Sequence, residues 1–593
     1  MNKIQNEKKH RIILYGVLWS LFVIYLVSIF CVNIQHFNYK MNSDIGAEAV
    51  LGRLIWDSGE IIPDSWISST ETRIIATPQV AALFYGMTGD MNLSLGLACC
   101  VMTVGIMLAI WTFMRTTGSR RSSCLGMCLL SLSLAGNMTI LELLYLFASY
   151  YGIHVIAFFL TMNCYPMLLQ YSENNSHKRS NYENPNDVTD GTVRTKIKPA
   201  CKLIVSLVLA FLLGMQGTRG ILITYGPLFG IEVIRQAYCL LKRKNTVISD
   251  LSDPEQKSSE KCSEKYSWKA GIQPFLWASV LLIASYLGTK MPFATGQEIS
   301  RNIRNGFSKL FQTVLPDTWK AIGFTEGHLF QNICLGILVL CVLWQVLRLL
   351  IKMVRRQNLH NMEWCFLVTA ASPVVAAVMV AFTTVESSER YYFMWIFAMA
   401  FAVILGWEQT GRELKNFNVN EDQKSGIAGN EINHVNKNDP HRLHRNVKWY
   451  LTCIWNVIPF MVSVIVVIGN LNHVYVPILK AQEPTPSDAL EVVRYLEEHG
   501  YEEAYSTFES ANMMTALSDG RVNVYALNSF DSMDMCQWLT SRDWYPEDGV
   551  ADQSGTVYVV PDARSEELDR LTEKGMDYEI LNEVGTYWIV RLR

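Results

Sequence analysis

Asp44 and Glu48 stand one helical turn apart, so on a helix their carboxylates project in similar directions. Two carboxylates so placed suit metal coordination or removal of a proton from an acceptor hydroxyl. They sit in Asn42-Ser-Asp44-Ile-Gly-Ala-Glu48, which runs into Ala49–Trp56; at the start of such a helix Asp44 reads equally well as an N-cap. A second polar knot, Ser69-Thr-Glu71-Thr-Arg73, follows, and its composition alone reads as a solvated loop. Gln216-Gly-Thr-Arg219-Gly is too tight for a solvated loop, which leaves Arg219 near headgroup level if apolar helices flank it. There an arginine either grips a lipid phosphate bidentately or snorkels to anchor its helix. Glu389-Arg390-Tyr391-Tyr392 offers the same choice, since tyrosines beside an arginine also form interfacial belts. Glu142 adds another acidic position. The chain has no GxGxxG, P-loop, nucleophile elbow or HExxH, and its histidines lack ligand spacing, so no preformed zinc site is expected.

Bringing these positions together falls to long apolar blocks. Half of the 593 residues are hydrophobic (50%), and they are gathered rather than spread. Segments such as Ile12–Val32, Leu93–Met114, Phe366–Val385 and Trp449–Ile468 reach the length of a membrane span without an ionised side chain inside. Further spans are predicted at Ser123–Asn137, Leu144–Leu169, Cys201–Met215, Ile221–Cys239, Gly271–Leu287, Ile333–Ile351 and Met394–Trp407, about eleven in all, with interiors nearly free of charge. Lys/Arg clusters at Arg115–Arg121, Lys178–Lys198, Arg235–Lys265, Lys352–Arg356 and Arg412–Lys448 fall between alternate spans, on the side of the basic N-terminus. The positive-inside rule makes that side cytoplasmic and carries the C-terminus outside. Asp44, Glu48, Glu142, Arg219, Glu389 and Arg390 then all lie near the outer plane. Asn181–Thr195 and Ser249–Ser267 read as flexible cytoplasmic loops.

The formal net charge of −3 and the scatter of basic residues exclude nucleic acid as a partner. Ile12–Val32 is too long for a signal-peptide core and lacks a cleavage site, so it is a retained anchor. Most of the 14 cysteines lie in apolar segments, and Cys536 alone falls in the last hundred or so residues, which excludes a disulfide within that part. Asn92-Leu-Ser and Asn137-Met-Thr match the glycosylation pattern.

Two soluble features complete the reading. Ala47, Val50, Leu51, Leu54 and Ile55 form one helical stripe expected to lie along the membrane surface, as do Ile303, Phe307, Leu310, Phe311 and Val314 within the outer loop Thr289–Gln331, where Arg301, Arg304 and Lys309 add positive charge. From about Gln482 the pattern changes to alternating helix and strand: helices at Pro486–His499, Asn512–Leu517 and Ser565–Lys574, strands at Ala504–Thr507, Arg521–Leu527 and Thr556–Val560, and a terminal strand or hairpin at Tyr578–Arg591. The expectation is a membrane domain over 1–481 and a small extracytoplasmic α/β sandwich with a mostly parallel sheet over 482–593.

An early acidic residue in Asn42-Ser43-Asp44, a following surface helix, outer-face Arg and Glu positions and an extracytoplasmic C-terminal domain together resemble the GT-C superfamily of membrane glycosyltransferases, which use polyprenyl-phosphate-linked sugars. Ser43–Arg73, Gly214–Leu228, Ser388–Phe393 and Thr507–Tyr525 are also similar to uncharacterised bacterial proteins of that type. The resemblance implies Asp44 as base for the acceptor hydroxyl or as metal ligand, with Glu48 or Glu71 as supporting carboxylate. It implies Arg219 and Arg390 on the donor phosphate, and Glu142, Tyr145, Arg73 and Tyr391 as further substrate contacts. Asp44 lacks the adjacent acidic partner of some families, which leaves a requirement for a divalent cation (Mg or Mn) and the acceptor class open. The implied reaction is inverting transfer of a sugar from the polyprenyl-phosphate lipid to an envelope glycan, lipid or protein at the outer face of the cytoplasmic membrane. A transporter or lipid flippase, marked by inverted repeats and broken helices, and a non-catalytic envelope scaffold are the competing classes.

Overall fold

The computed structural model describes residues 2–177, 192–250, 271–291, 300–427, 456–481, 487–573 and 576–593. Most of the predicted loops Asn181–Thr195 and Ser249–Ser267, the start of the predicted span Trp449–Ile468 and the boundary at 482–486 lie outside the described residues.

The chain is a polytopic α-helical membrane protein with a small α/β region at its C-terminus. Six described helices are long and apolar enough to cross a membrane: Ile12–Gln35, Met91–Thr116, Gly152–Gln170, Leu329–Val354, Asn361–Ala381 and Asn456–Lys480. Ala200–Gln216 and Gln273–Gly288 are shorter apolar helices, and the helices Gly226–Asp250 and Met394–Ile427 cover two more predicted spans. The third predicted span ends four residues early. It is the helix Arg121–Ser133, which at 1.5 Å per residue reaches only about 20 Å, and after a break a second short helix, Met138–Leu144, precedes the fourth predicted span. Such a half-helix is tolerated because protein surrounds it: Ser123–Ser133 is buried throughout. Asn470 donates to the Ser133 carbonyl across 2.8 Å, satisfying the break. A broken helix was the expected mark of a transporter; here the break leads the chain directly into Glu142 and the tyrosines of the cleft described below.

The fourth predicted span begins at Gly152, not Leu144, because Tyr145–Tyr151 is irregular. The predicted span Ile221–Cys239 is not charge-free. Glu232 and Arg235 are buried on it, paired through two bonds of 2.7 and 2.9 Å, with Tyr165 donating to the same carboxylate. A buried charge persists when it is matched in this bidentate way.

The C-terminal region places β2 (Glu503–Thr507), β3 (Asn523–Leu527), β5 (Val557–Pro561), β6 (Tyr578–Val584) and β7 (Tyr587–Leu592) in one sheet of order β3-β2-β5-β7-β6. The sheet is mixed, not mostly parallel: β2 pairs parallel with β3 and β5, whereas the terminal hairpin β6–β7 adds to β5 antiparallel. A two-residue turn can only return the chain antiparallel, and that hairpin supplies two of the five strands. Helices Ser487–Glu498, Phe508–Leu517 and Glu566–Glu573 accompany the sheet. The remaining short strands, β1 (Trp66–Ile67) and β4 (Thr540–Ser541), pair antiparallel and tie this region to the loop that follows the helix Ser43–Ser58.

That docking overturns one expectation. Ala47, Val50, Leu51 and Ile55, on the helix Ser43–Ser58, are buried by protein and do not face lipid. Phe508–Leu517 packs on this helix, with Ser43 donating to the Phe508 carbonyl, and a Cβ at Gly46 would overlap the Asn512 carbonyl. Asn92 and the Met91 amide complete the seam, bonding the Ala516 carbonyl at 2.7 Å and Asp519 at 2.8 Å. Asn92 is thereby buried, and Asn137 is spent on the Lys320 carbonyl and Glu389, each at 2.9 Å, so neither sequon presents a free amide. By contrast Ile303, Phe307 and Phe311 do expose their side chains, as an interfacial segment requires, while Val314 turns inward.

Gly46→Val should weaken the seam by about 1–3 kcal/mol, the usual effect of overpacking. A thermal-shift assay should show a lowered Tm, and limited proteolysis should cut between the last apolar helix and Ser487 at a protease dose that spares wild type. An unchanged Tm and digest would mean that the two helices do not meet at Gly46.

Candidate active site

The local fold puts a cleft where the helix Ser43–Ser58, the loop after it, two interhelical turns and the C-terminal region converge. Its walls are Asp44, Glu48, Ser69, Thr70, Glu71, Arg73, Leu143, Tyr150, Tyr151, Arg219, Arg390, Trp538 and Leu539. Three carboxylates and three guanidinium groups thus come from four separate stretches of chain.

Asn42, not Asp44, caps the helix: its side chain accepts from the Ile45 amide at 2.8 Å. Asp44 is released from capping and points its charge to the positive end of the helix dipole in the first turn. Among the described residues no hydrogen bond or ion pair engages its carboxylate.

Glu48 and Glu71 are differently placed. Arg73 Nε donates to Glu48 at 2.7 Å, Arg73 Nη1 to Glu71 at 3.0 Å, and Arg219 Nη1 to the same Glu71 oxygen at 2.6 Å. The four side chains form a chain Glu48–Arg73–Glu71–Arg219, nearly excluded from solvent. Burial alone would raise the Glu71 carboxyl, but Arg219, His154 and Arg73 together outweigh it and hold Glu71 below its ordinary range. Burial, reinforced by Asp44, pushes Glu48 upward against the pull of Arg73. Burial likewise raises Glu142, which Asn42 reaches at 3.5 Å.

Arg219 is held on a second side by aromatic faces, with its guanidinium carbon 3.8 Å from the Tyr151 ring centroid and 5.8 Å from that of Tyr391. Two glycines set the turn that carries it. Gly214 and Gly288 let the helices Thr192–Gln216 and Gln273–Gly288 touch at backbone level, since a Cβ on either would overlap the other helix. Gln216 then clamps the neighbouring loop by accepting from the amides of Ile74 and Ile75 at 3.2 and 2.6 Å. Arg390, at the cleft mouth, is exposed, and among the described residues no carboxylate pairs with it.

Of the residues singled out by sequence, Asp44, Glu48, Glu71, Arg73, Arg219 and Arg390 meet in this cleft, and Glu142 and Tyr391 flank it. Tyr145 does not. It is fully buried, donating to the Ser131 carbonyl at 3.0 Å, because the chain turns sharply after it. Phe147 and Ser149 adopt φ of 59° and 48°, rare and strained for residues with a side chain, and the Asn33 carboxamide holds the elbow by accepting from the Phe147 amide at 2.9 Å. The elbow delivers Tyr150 and Tyr151 to the cleft instead. Sequence reasoning placed both inside a span; the available signal was the polar Ser149 beside two tyrosines at its end. Trp538 and Leu539 were also missed, as nothing local marks them.

A divalent cation does not fit the donor set as arranged. Glu48 and Glu71 are engaged by arginines, and the described residues hold no cluster of three or more His, Cys, Asp or Glu side chains suited to a metal.

No family model matches the chain, and no curated protein matches it. Among solved structures, the chain is similar to ArnT from Cupriavidus metallidurans bound to undecaprenyl phosphate, with a TM-score of 0.47 and 11% identity over 96% of this chain and 97% of that one. The apo state of ArnT gives a TM-score of 0.49 and 12% identity, with coverage again 96% and 97%.

The lowered pKa of Glu71 fixes the sign of a pH effect. Its contribution to stability is complete above the unfolded-state value and is lost as pH falls through the lower folded-state value. Purified protein should therefore lose Tm as pH drops below about 4.5. Glu71→Gln should lower Tm at neutral pH, because it leaves the buried Arg219 without its carboxylate while Arg73 keeps only Glu48, and flatten that acid slope. Equal acid slopes in the two proteins would sink the assignment of Glu71 as the ionised centre of the network.

Proposed function

We propose that the chain transfers a sugar from a polyprenyl-phosphate-linked donor to a cell-envelope acceptor at the outer face of the cytoplasmic membrane. One observation carries the reading: once the buried network has paired two carboxylates with two guanidiniums, the cleft retains one unengaged carboxylate, Asp44, and one unengaged guanidinium, Arg390, among the described residues. An unengaged base and an unengaged anion receptor are what an inverting displacement of a phosphate leaving group requires.

In this reading the acceptor hydroxyl attacks the anomeric carbon while Asp44 takes its proton. The bond from that carbon to the phosphate oxygen breaks, and its electron pair leaves with the polyprenyl phosphate. Arg390 receives the negative charge; Arg219 lends N–H donors not used on Glu71, since a guanidinium carries five. Glu48, Arg73 and Glu71 orient these groups without touching the reacting atoms. The basic clusters between alternate spans support a cytoplasmic N-terminus, with the cleft and the α/β region outside. An envelope glycan, lipid or protein bearing a hydroxyl is the acceptor class.

The test uses full-length protein in nanodiscs with radiolabelled polyprenyl-phosphate hexoses and a panel of envelope acceptors. Asp44→Asn should lower kcat by roughly a hundredfold to ten-thousandfold with little change in KM. Arg390→Ala should weaken donor binding as well. Equal transfer by wild type and Asp44→Asn would remove Asp44 as base, and absence of transfer by wild type with every donor would sink the reading.

A further inference from the structure

The C-terminal region contributes Trp538 and Leu539 to the lining of the cleft. Trp538 keeps 39% of its surface exposed, yet the side chains that share the cleft with it are mostly charged or hydroxylated. Its backbone is tightly fixed. Leu539 has φ of 48° and its carbonyl accepts from Asn512 at 2.9 Å, Cys536 bonds back to the Ala526 carbonyl at 3.0 Å, and Thr540 pairs with Ile67 across β1–β4. A strained, immobilised segment that presents a large apolar face to a polar cleft is organised for a ligand.

We propose that Trp538 is the platform on which the donor sugar ring lies. The inference rests on the transferase reading. In that reading the ring links the phosphate at Arg390 to the carbon attacked beside Asp44, so it must occupy the cleft between them. Of the aromatic rings that line the cleft, Tyr150 and Tyr151 already face Arg73 and Arg219, and Trp538 is the one with no such partner among the described residues. A pyranose matches Trp538 chemically: its axial C–H bonds form a weakly positive face that packs on the negative face of an indole. Its hydroxyls point outward from the ring edge, towards the polar groups Ser69 and Thr70 on the same cleft.

Two ligands separate this from other uses of an exposed tryptophan: a short-chain polyprenyl-phosphate hexose and the matching polyprenyl phosphate without sugar. Binding of each to the full chain in nanodiscs is measured in an Asp44→Asn background, which suppresses turnover. Trp538→Ala should weaken the sugar lipid roughly three- to tenfold while leaving polyprenyl phosphate unchanged, and Trp538→Phe should restore most of the loss. Equal weakening of both ligands would place the indole on the lipid or in the shape of the cleft, and an unchanged affinity for both would remove it from the site; either result overturns the proposal but not the transferase reading. Failure of the Asp44→Asn protein, with Trp538 intact, to bind either ligand overturns both.

Discussion

Glu71 sits between two guanidinium groups, and the geometry of the cleft hangs on that arrangement. A buried carboxylate with one partner would scarcely repay its desolvation; with Arg73 and Arg219 both within 3.0 Å it stays ionised. Arg219 comes from a stretch far from Glu71 and Arg73 in sequence, and Arg73 extends the connection to Glu48 on the helix Ser43–Ser58. The network therefore fixes that helix, the loop behind it and the turn between two apolar helices in one frame. Gln216 reinforces the same joint by bonding backbone amides, which leaves the loop little freedom to move relative to Arg219.

What the sequence could reveal followed from this distribution. The apolar blocks are long, so the spans were legible by length alone, and loop charge ordered them. The end of the third span at Ser133, short of Asn137, was not legible, because Leu134, Ala135 and Gly136 are as apolar or as small as the residues of a continuing helix and the cap, Asn470, comes from far along the chain. The Glu232–Arg235 pair escaped for a related reason: a pattern counts charges but does not see that they neutralise each other. In the C-terminal region, strand positions were legible to within a few residues from alternation, whereas the antiparallel addition of β7 to β5 is a choice of sheet edge that alternation does not encode.

The site divides along the same line. Residue types and an expected common plane were enough to bring Asp44, Glu48, Arg219 and Arg390 under suspicion; Glu71 and Arg73, in a loop whose composition reads as solvated, came in only through the family resemblance. Their division of labour was not legible, because whether a carboxylate is spent on an arginine depends on contacts from elsewhere in the chain. Asn42 illustrates the point. It stands two residues before Asp44 and takes the capping bond that Asp44 could have made, and only the backbone geometry decides between them. Tyr145 and Tyr151 are exchanged by an elbow whose strain at Phe147 and Ser149 contradicts every local preference of those residues. Local rules fail where the surrounding structure imposes a function, and the elbow is next to the cleft.

The consequence is a separation between charges that hold and charges that act. Arg219 is constrained by Glu71 at 2.6 Å and by the Tyr151 face at 3.8 Å, so its remaining donors have a fixed direction. Arg390 has no such ion pair among the described residues and is exposed at the mouth. In the proposed transferase reading, a phosphate arriving between them meets one donor set already oriented and another that can adjust, which suits a leaving group whose charge grows as a bond breaks. Asp44 remains available because its neighbours satisfy the structural demands around it: Asn42 takes the cap, and Arg73 is occupied by Glu48 and Glu71. Were Glu71 absent, Arg73 would keep Glu48 but Arg219 would lose its carboxylate partner, and Asp44, on the same cleft, is unengaged among the described residues. In the proposed transferase reading the buried network thus keeps the base from being consumed by its own surroundings.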